Sequence, residues 1–227
     1  MSDDGPAPRP SAGARTVAVA RFLAATRAEG PGERTAVWVQ GCEIRCPGCF
    51  NPHLWTFRGG EPVAPADLVR RVLDAGTEGL TLLGGEPFDQ AAPLAVVAAG
   101  VRAAGRSVMT FTGYTTARLR RAVDAGRDDV AALLAATDLL VAGPFLADRI
   151  DTRRPWVGST NQEFVLLDDR FPGLLDEVSR SPDRVEVTVD AAGRVAVNGW
   201  AEVDALDELL ASVARPQPRR RASAERR

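Results

Sequence analysis

At 227 residues and 45% apolar side chains, the chain has the size of one domain with an appendage and enough apolar surface for a core. Its formal net charge of −2 gives no overall bias toward nucleic acid or a membrane surface, although every one of its 28 basic residues is an arginine. Three cysteines, all between residues 42 and 49, are too few and too close for a disulfide framework, which argues for a reducing, cytoplasmic setting.

Residues 1–14 are rich in Pro, Gly and Ala and read as a disordered tail without the apolar core of a signal peptide. Thr16 to Leu23 reads as a strand, Glu29-Gly-Pro-Gly-Glu33 as a turn, and Thr35 to Val39 as a second strand that runs into the cysteines. A helix is predicted over Pro65 to Ala75, with Pro65 in its first turn, Leu68, Val69, Val72 and Leu73 on one stripe and Gly76 ending it. Gly79 to Leu83 reads as a buried strand that feeds Gly84-Gly85-Glu86-Pro87. Asp89 is expected to cap the next helix, which carries Leu94, Val97 and Val101 and stops at Gly105. The longest apolar run, residues 91–104, is broken by Gly100 and Arg102 and is too short to span a bilayer.

A strand at Ser107 to Phe111 precedes Thr112-Gly113-Tyr114. Helices follow, one carrying Leu119 and Val123 and one near Val130 to Ala136. Asp138 to Val141 is a strand that ends at Gly143-Pro144-Phe145, and Phe164 to Leu167 is another. Arg184 to Asp190 and Arg194 to Val197 alternate valines as an antiparallel hairpin, Glu202 to Val213 reads as a closing helix, and Pro216 to Arg227 as an arginine-rich solvated tail. Strands alternating with helices predict an α/β fold of parallel βαβ units, whose site lies beyond the carboxyl ends of the strands. The cysteines, Gly-Gly-Glu-Pro, Thr-Gly-Tyr and Gly-Pro-Phe each follow a predicted strand, so four loops are expected on one face.

Cys42-x3-Cys46-x2-Cys49 offers three soft thiolates from one loop. Two metal chemistries stay open at this point. An iron–sulfur cubane held by three cysteines leaves one iron open to a small molecule. A structural zinc needs four ligands, and His53 could complete a Cys3His set.

The cysteine loop after one strand and Gly84-Gly85-Glu86-Pro87 after the next resemble the radical S-adenosylmethionine superfamily. More narrowly, Val39 to Pro52 resembles the activating proteins of anaerobic ribonucleoside-triphosphate reductase, as do Glu29-Gly-Pro-Gly, Thr112-Gly113-Tyr114, Gly143-Pro144-Phe145 and Gly158 to Gln162. The likeness covers about residues 16–165. Gly48 stands before the third cysteine where the superfamily usually has an aromatic residue, and Val157 stands where the activators often have arginine.

The resemblance implies a partial (β/α) barrel core at 15–170, a hairpin and helix extension at 171–214 and a tail at 215–227. It implies one [4Fe-4S] cluster on Cys42, Cys46 and Cys49, with S-adenosylmethionine chelated at the open iron and cleaved to a 5′-deoxyadenosyl radical. Gly84, Gly85, Glu86 and Pro87 are then expected at the cofactor, with Glu86 accepting from the methionine ammonium. Thr112, Gly113, Tyr114, Ser159 and Asn161 are expected to line it. The implied partner is a glycyl-radical enzyme such as anaerobic ribonucleotide reductase, with a flavodoxin- or ferredoxin-type electron donor and no nucleic acid. The alternatives are radical chemistry on a peptide or small molecule, and a non-enzymatic Cys3His zinc module.

Overall fold

The computed structural model describes residues 7–11, 13–178, 185–189, 195–199 and Ala211. A seven-stranded sheet runs in the order β3-β1-β2-β4-β5-β6-β7. Its centre is parallel: β2 (Arg34–Val39), β4 (Gly79–Gly84), β5 (Ser107–Thr112) and β6 (Leu139–Ala142) pair in register as Val37↔Leu82, Leu82↔Thr110 and Phe111↔Val141. The flanks are antiparallel, with β1 (Val17–Thr26) against β2, the short β3 (Glu61–Val63) against β1, and β7 (Glu163–Leu166) against β6.

The expectation of parallel units throughout is therefore corrected at both flanks. A seven-residue connection between β1 and β2 is too short for the crossover a parallel pair requires. The sheet ends in β3 and β7 without closing, so the architecture stands as a mixed α/β sheet with a parallel centre, and the expected partial barrel is not established.

Helices α1 (Pro65–Asp74), α2 (Ala91–Ala103), α3 (Thr116–Asp124) and α4 (Asp128–Ala135) bury their apolar faces in one large core. Leu68, Leu94, Val97, Leu119 and Leu133 meet Val37, Leu80, Leu82, Val108 and Leu140 there. Side chains alternate across a strand, so the intervening residues Ala36, Trp38, Leu83, Met109 and Val141 point to the opposite face. α5 (Leu174–Val178) buries Leu174 on that opposite face and had no counterpart in the sequence expectations. The predicted hairpin is present as β8 (Val185–Val189) and β9 (Val195–Gly199), antiparallel and separate from the large sheet. Apart from Ala211, the expected closing helix lies outside the described residues, as does the arginine-rich tail. Among the described residues no helix is long and apolar enough to cross a membrane.

Residues 7–11, expected within a disordered tail, are instead held against the helical side. Arg9 N–H donates to Asp89 Oδ1 at 2.8 Å, the Arg127 guanidinium donates to the Pro8 and Arg9 carbonyls, and the Ser11 hydroxyl donates to Asp129 at 2.9 Å. None of these partners is near in sequence, which is why composition alone missed them.

At the amino-terminal ends of the parallel strands, Arg34 is fully buried. Its Nε donates to Thr81 Oγ1 at 2.8 Å, and its terminal nitrogens donate to Ser107 Oγ and to the carbonyls of Leu80, Pro31 and Ser107. Burial lowers its pKa to about 10, against the raising effect of Asp138 and Glu78, so the guanidinium stays charged at neutral pH. Arg34→Met would fill similar volume and leave several buried acceptors unmatched, each worth ~1–3 kcal/mol. A net loss of about 3 kcal/mol is expected, a fall in melting temperature of roughly 6–12 °C for a chain this size. A melt of Arg34→Met within about 2 °C of the unaltered chain would contradict this.

Candidate active site

The cysteines lie on a closed loop of residues 42–55. Its base is pinned by Gly41 N–H to the Leu54 carbonyl at 2.8 Å and Cys42 N–H to the Trp55 carbonyl at 3.2 Å. Gln40 Nε2 ties the far side down through the Thr56 carbonyl at 2.7 Å. Within the loop, Cys49 N–H donates to the Cys46 carbonyl, and Asn51 N–H approaches Cys49 Sγ at 3.4 Å. Arg45 takes a left-handed φ of 53°, uncommon for a side chain with a Cβ, so that the chain doubles back between the first two cysteines.

The end of β4 continues the pairing into this loop. Gly85 N–H donates to the Val39 carbonyl and Glu86 N–H to the Gly41 carbonyl, both at 2.8 Å. A Cβ on Gly85 would sit 2.2 Å from the Gly41 carbonyl oxygen, and one on Gly84 2.5 Å from Val39 N. Both glycines are needed because backbone meets backbone here. What they make room for is the base of the cysteine loop itself.

Glu86 is 1% exposed and joins two strand ends. Its Oε1 accepts from Phe88 N–H and the Thr112 hydroxyl, each at 2.9 Å, and its Oε2 accepts from Gly113 N–H at 2.8 Å. Asp89 stands behind it, accepting from Glu43 N–H and the Tyr114 hydroxyl at 2.8 Å and from Arg9 N–H. The expected capping role of Asp89 is corrected: its carboxylate braces the cysteine loop, while Glu86 caps the short 3-10 turn of Pro87–Gln90. Burial pushes both carboxyls up, with Asp89 adding to the rise of Glu86 and Glu43 to that of Asp89. Neither has a salt-bridge partner among the described residues, so the pair is a buried carboxyl site without a cation.

These groups surround a cavity of about 500 Å³ at the strand ends that extends onto the face of the sheet opposite helices α1–α4. All three cysteines line it, as do Gly84, Gly85, Glu86, Pro87, Thr112 and Gly113. Tyr114, Ser159 and Asn161, expected at the cofactor, are not among its lining residues. Tyr114 turns into the core and serves Asp89. Ser159 Oγ accepts from Leu146 N–H at 3.2 Å, and Asn161 Nδ2 donates to the Pro144 carbonyl at 2.8 Å. The two therefore fix the turn on either side of Phe145, whose N–H reaches the Cys46 sulfur. Gln162 does line the cavity, its Oε1 accepting from Gly158 N–H and Ser159 N–H.

Sequence inspection missed Arg21, Trp38, Leu83 and Phe111, which the alternation of β1, β2, β4 and β5 turns into the cavity. The signal was present as the second face of the strands, to which sequence inspection gave no role. Phe50, 55% exposed, packs on Phe145 with ring centroids 4.9 Å apart at the rim.

In the metal-free chain burial pushes the Cys42 thiol up to about 12, with Glu86 adding to the effect and the N–H groups of Arg45 and Ile44 opposing it. Burial raises Cys46 as well. Metal coordination removes such protons outright, so Cys42 and Cys46 suit a ligand role better than that of free thiolates. His53 is exposed on the short 3-10 turn Pro52–Leu54 and does not line the cavity. No group of three or more His, Cys, Asp or Glu side chains among the described residues is gathered tightly enough for a single metal ion. His53 therefore stands apart from the cavity that the three thiols line. The residues fit a larger multi-iron cluster: three thiols around a roomy cavity, backbone N–H groups aimed at sulfur, and the buried Trp55 Nε1 on the cavity wall without a hydrogen-bond partner.

Comparison with known proteins agrees with this geometry. Residues 28–165 match the family model described as a 4Fe-4S single cluster domain. The anaerobic ribonucleoside-triphosphate reductase-activating protein of Vibrio cholerae is 33% identical over 144 residues, covering 59% of this chain and 87% of that protein. The protein of that name in Escherichia coli K12 is 32% identical over 142 residues, 59% of this chain and 88% of its own length. The pyruvate formate-lyase-activating enzyme of Clostridium pasteurianum is 39% identical over a shorter 64 residues, 26% of this chain and 27% of that one.

Proposed function

The chain belongs to the 4Fe-4S single cluster domain family, within the radical S-adenosylmethionine superfamily, and from that premise we propose an enzyme that generates a glycyl radical on a partner protein. The observation that carries the proposal is the convergence of Cys42, Cys46, Cys49 and the uncompensated Glu86 on one cavity inside the family-matched segment. When bound, a [4Fe-4S] cluster and S-adenosylmethionine supply one-electron cleavage of the sulfonium to methionine and a 5′-deoxyadenosyl radical, which takes a hydrogen atom from the partner.

The chain's own residues do the rest. The three cysteines hold the cluster and leave one iron for the cofactor's amino and carboxylate groups. Glu86, buried and short of a cation, would accept from an N–H of the cofactor's iron-bound amino group through a charge-assisted bond. Gly84, Gly85, Pro87, Thr112 and Gly113 form the floor between the strand ends. Trp55, Trp156 and Phe50 exclude water from the cavity. Ser159 and Asn161 act one step back, by holding the 144–146 turn beside Cys46, and Tyr114 by holding Asp89.

The names of the full-length relatives make anaerobic ribonucleoside-triphosphate reductase the first partner to test. A flavodoxin- or ferredoxin-type donor would supply the electron, and a reducing cytoplasm would keep the thiols free. Anaerobic reconstitution should give about four iron and four sulfide per chain, a brown protein, and 5′-deoxyadenosine after reduction in the presence of S-adenosylmethionine. A colourless protein holding one zinc would sink the proposal.

A further inference from the structure

The cavity has a wall that the family-matched segment does not provide. Val185, Val197, Asn198 and Gly199 of the hairpin β8–β9 line it opposite the cysteine loop. The hairpin is not paired to the large sheet but is fastened to the chain just after β1. Glu186 accepts from the Thr26 hydroxyl and from Arg27 N–H, Asn198 Nδ2 donates to Thr26 Oγ1 at 2.8 Å, and Gly199 N–H donates to Glu29 Oε1 at 3.3 Å. The anchor is dry, with Thr26 2% and Asn198 6% exposed. Both strands lie outside residues 28–165, so the wall is an addition to the matched domain.

Two properties of the cavity restrict what this wall can admit. Among its described lining residues the charged side chains are Arg21, Glu29 and Glu86, so a single cation faces the cavity, too few for a polyphosphate. Arg21 is also engaged, its guanidinium stacked 4.6 Å over the Trp38 ring. A drug-sized ligand takes roughly 300 Å³ or more of pocket volume, so S-adenosylmethionine together with a cluster would use most of the 500 Å³. What remains suits a narrow group presented from outside, not a second enclosed metabolite.

We infer that the hairpin β8–β9 is the donor-facing wall of the cavity, and that Val185 and Val197 select an uncharged peptide segment as the hydrogen-atom donor over a nucleotide or other polyanion. The inference rests on the proposed radical activity. Its chemistry balances: the donor Cα–H bond breaks, the hydrogen atom and its one electron form the C–H bond of 5′-deoxyadenosine, and the unpaired electron stays on the donor.

The test uses the reconstituted full-length chain with S-adenosylmethionine and a blocked Ala-Gly-Ala peptide dideuterated at the glycine Cα. The unaltered chain should place deuterium in 5′-deoxyadenosine, and an equal concentration of ATP should not compete. Val185→Trp and Val197→Trp should lower the deuterated fraction of the 5′-deoxyadenosine that forms about tenfold or more. Val185→Ala and Val197→Ala, which cannot overfill the cavity, should keep the fold and lower the fraction severalfold. Amide exchange across 185–189 and 195–199 should slow when the peptide is added, and the tryptophan variants should lose that slowing. Transfer within twofold of the unaltered chain in both tryptophan variants, or suppression of transfer by ATP, would overturn the inference. If even the unaltered chain forms no 5′-deoxyadenosine, the proposed activity fails. The wall is then judged by exchange, and hairpin amides indifferent to the peptide would overturn it separately.

Discussion

Replacing any one of Cys42, Cys46 or Cys49 by alanine is expected to remove the cluster and with it the chemistry. Iron should fall from about four per chain to below one, because two remaining thiolates do not hold a cubane. Formation of 5′-deoxyadenosine should drop by on the order of a thousandfold, equivalent to ~4 kcal/mol of activation free energy. The three positions should be nearly equal in this readout despite their different surroundings. Cys42 is buried at the base of the loop, whereas Cys46 and Cys49 are half-buried at its turn. They should differ in stability: Cys42→Ala leaves the N–H groups of Ile44 and Arg45 without the sulfur they face. Serine variants should resemble alanine, since a hydroxyl is a poor substitute for a soft thiolate. His53→Ala should leave iron content and turnover unchanged. Iron analysis and the absorbance spectrum of each variant decide the matter, and a Cys46→Ala protein that keeps a full cluster would refute the ligand assignment.

Glu86→Ala carries the second large effect, and its size depends on pH in a way that can be worked out. The substitution orphans Phe88 N–H, the Thr112 hydroxyl and Gly113 N–H, at ~1–3 kcal/mol each before relaxation. Against this, it removes a carboxyl that burial holds above its ordinary range, with Asp89 adding to the shift. A raised carboxyl contributes its full stability below about pH 4, where both folded and unfolded chains are protonated, and loses it as pH rises through the folded-state value. In the metal-free chain the loss caused by Glu86→Ala should therefore be larger at pH 5, about 3 kcal/mol, and smaller at pH 8. The loaded enzyme should behave differently, because a bound N–H donor favours the ionised form. Glu86→Ala and the uncharged Glu86→Gln should both weaken S-adenosylmethionine binding by about tenfold or more, since a bond to a charged acceptor is worth ~1.5–3 kcal/mol. Equilibrium dialysis against the reconstituted protein reads this directly. Unchanged affinity in Glu86→Gln would rule out this role toward the cofactor's amino group.

The hairpin, if it selects the donor, gives the chain two separable parts. The segment shared with relatives carries cluster and cofactor, while Thr26, Glu186 and Asn198 attach a wall that sets what reaches them. Such a division explains why matching residues 28–165 names the chemistry more firmly than the partner.

What the sequence by itself determined was local. Three thiols within eight residues, Gly84-Gly85-Glu86-Pro87 directly after a strand, and the helices and central strands all depend on neighbours a few positions apart, where spacing and turn chemistry are legible. The alternating valines of the hairpin belong to the same class. Tertiary structure decided everything that joins distant positions. It ran β1 antiparallel to β2, bound the first residues to Asp89 and Arg127, and turned Asp89 from a helix cap into a brace for the cysteine loop. It also placed Trp38, Leu83 and Phe111 in a cavity instead of a core, moved Tyr114, Ser159 and Asn161 behind the site, and set β8–β9 across it. Contacts such as Thr26 with Asn198, 172 residues apart, leave no periodicity for sequence inspection to detect. They form because a buried polar group must find a partner wherever the folded chain provides one.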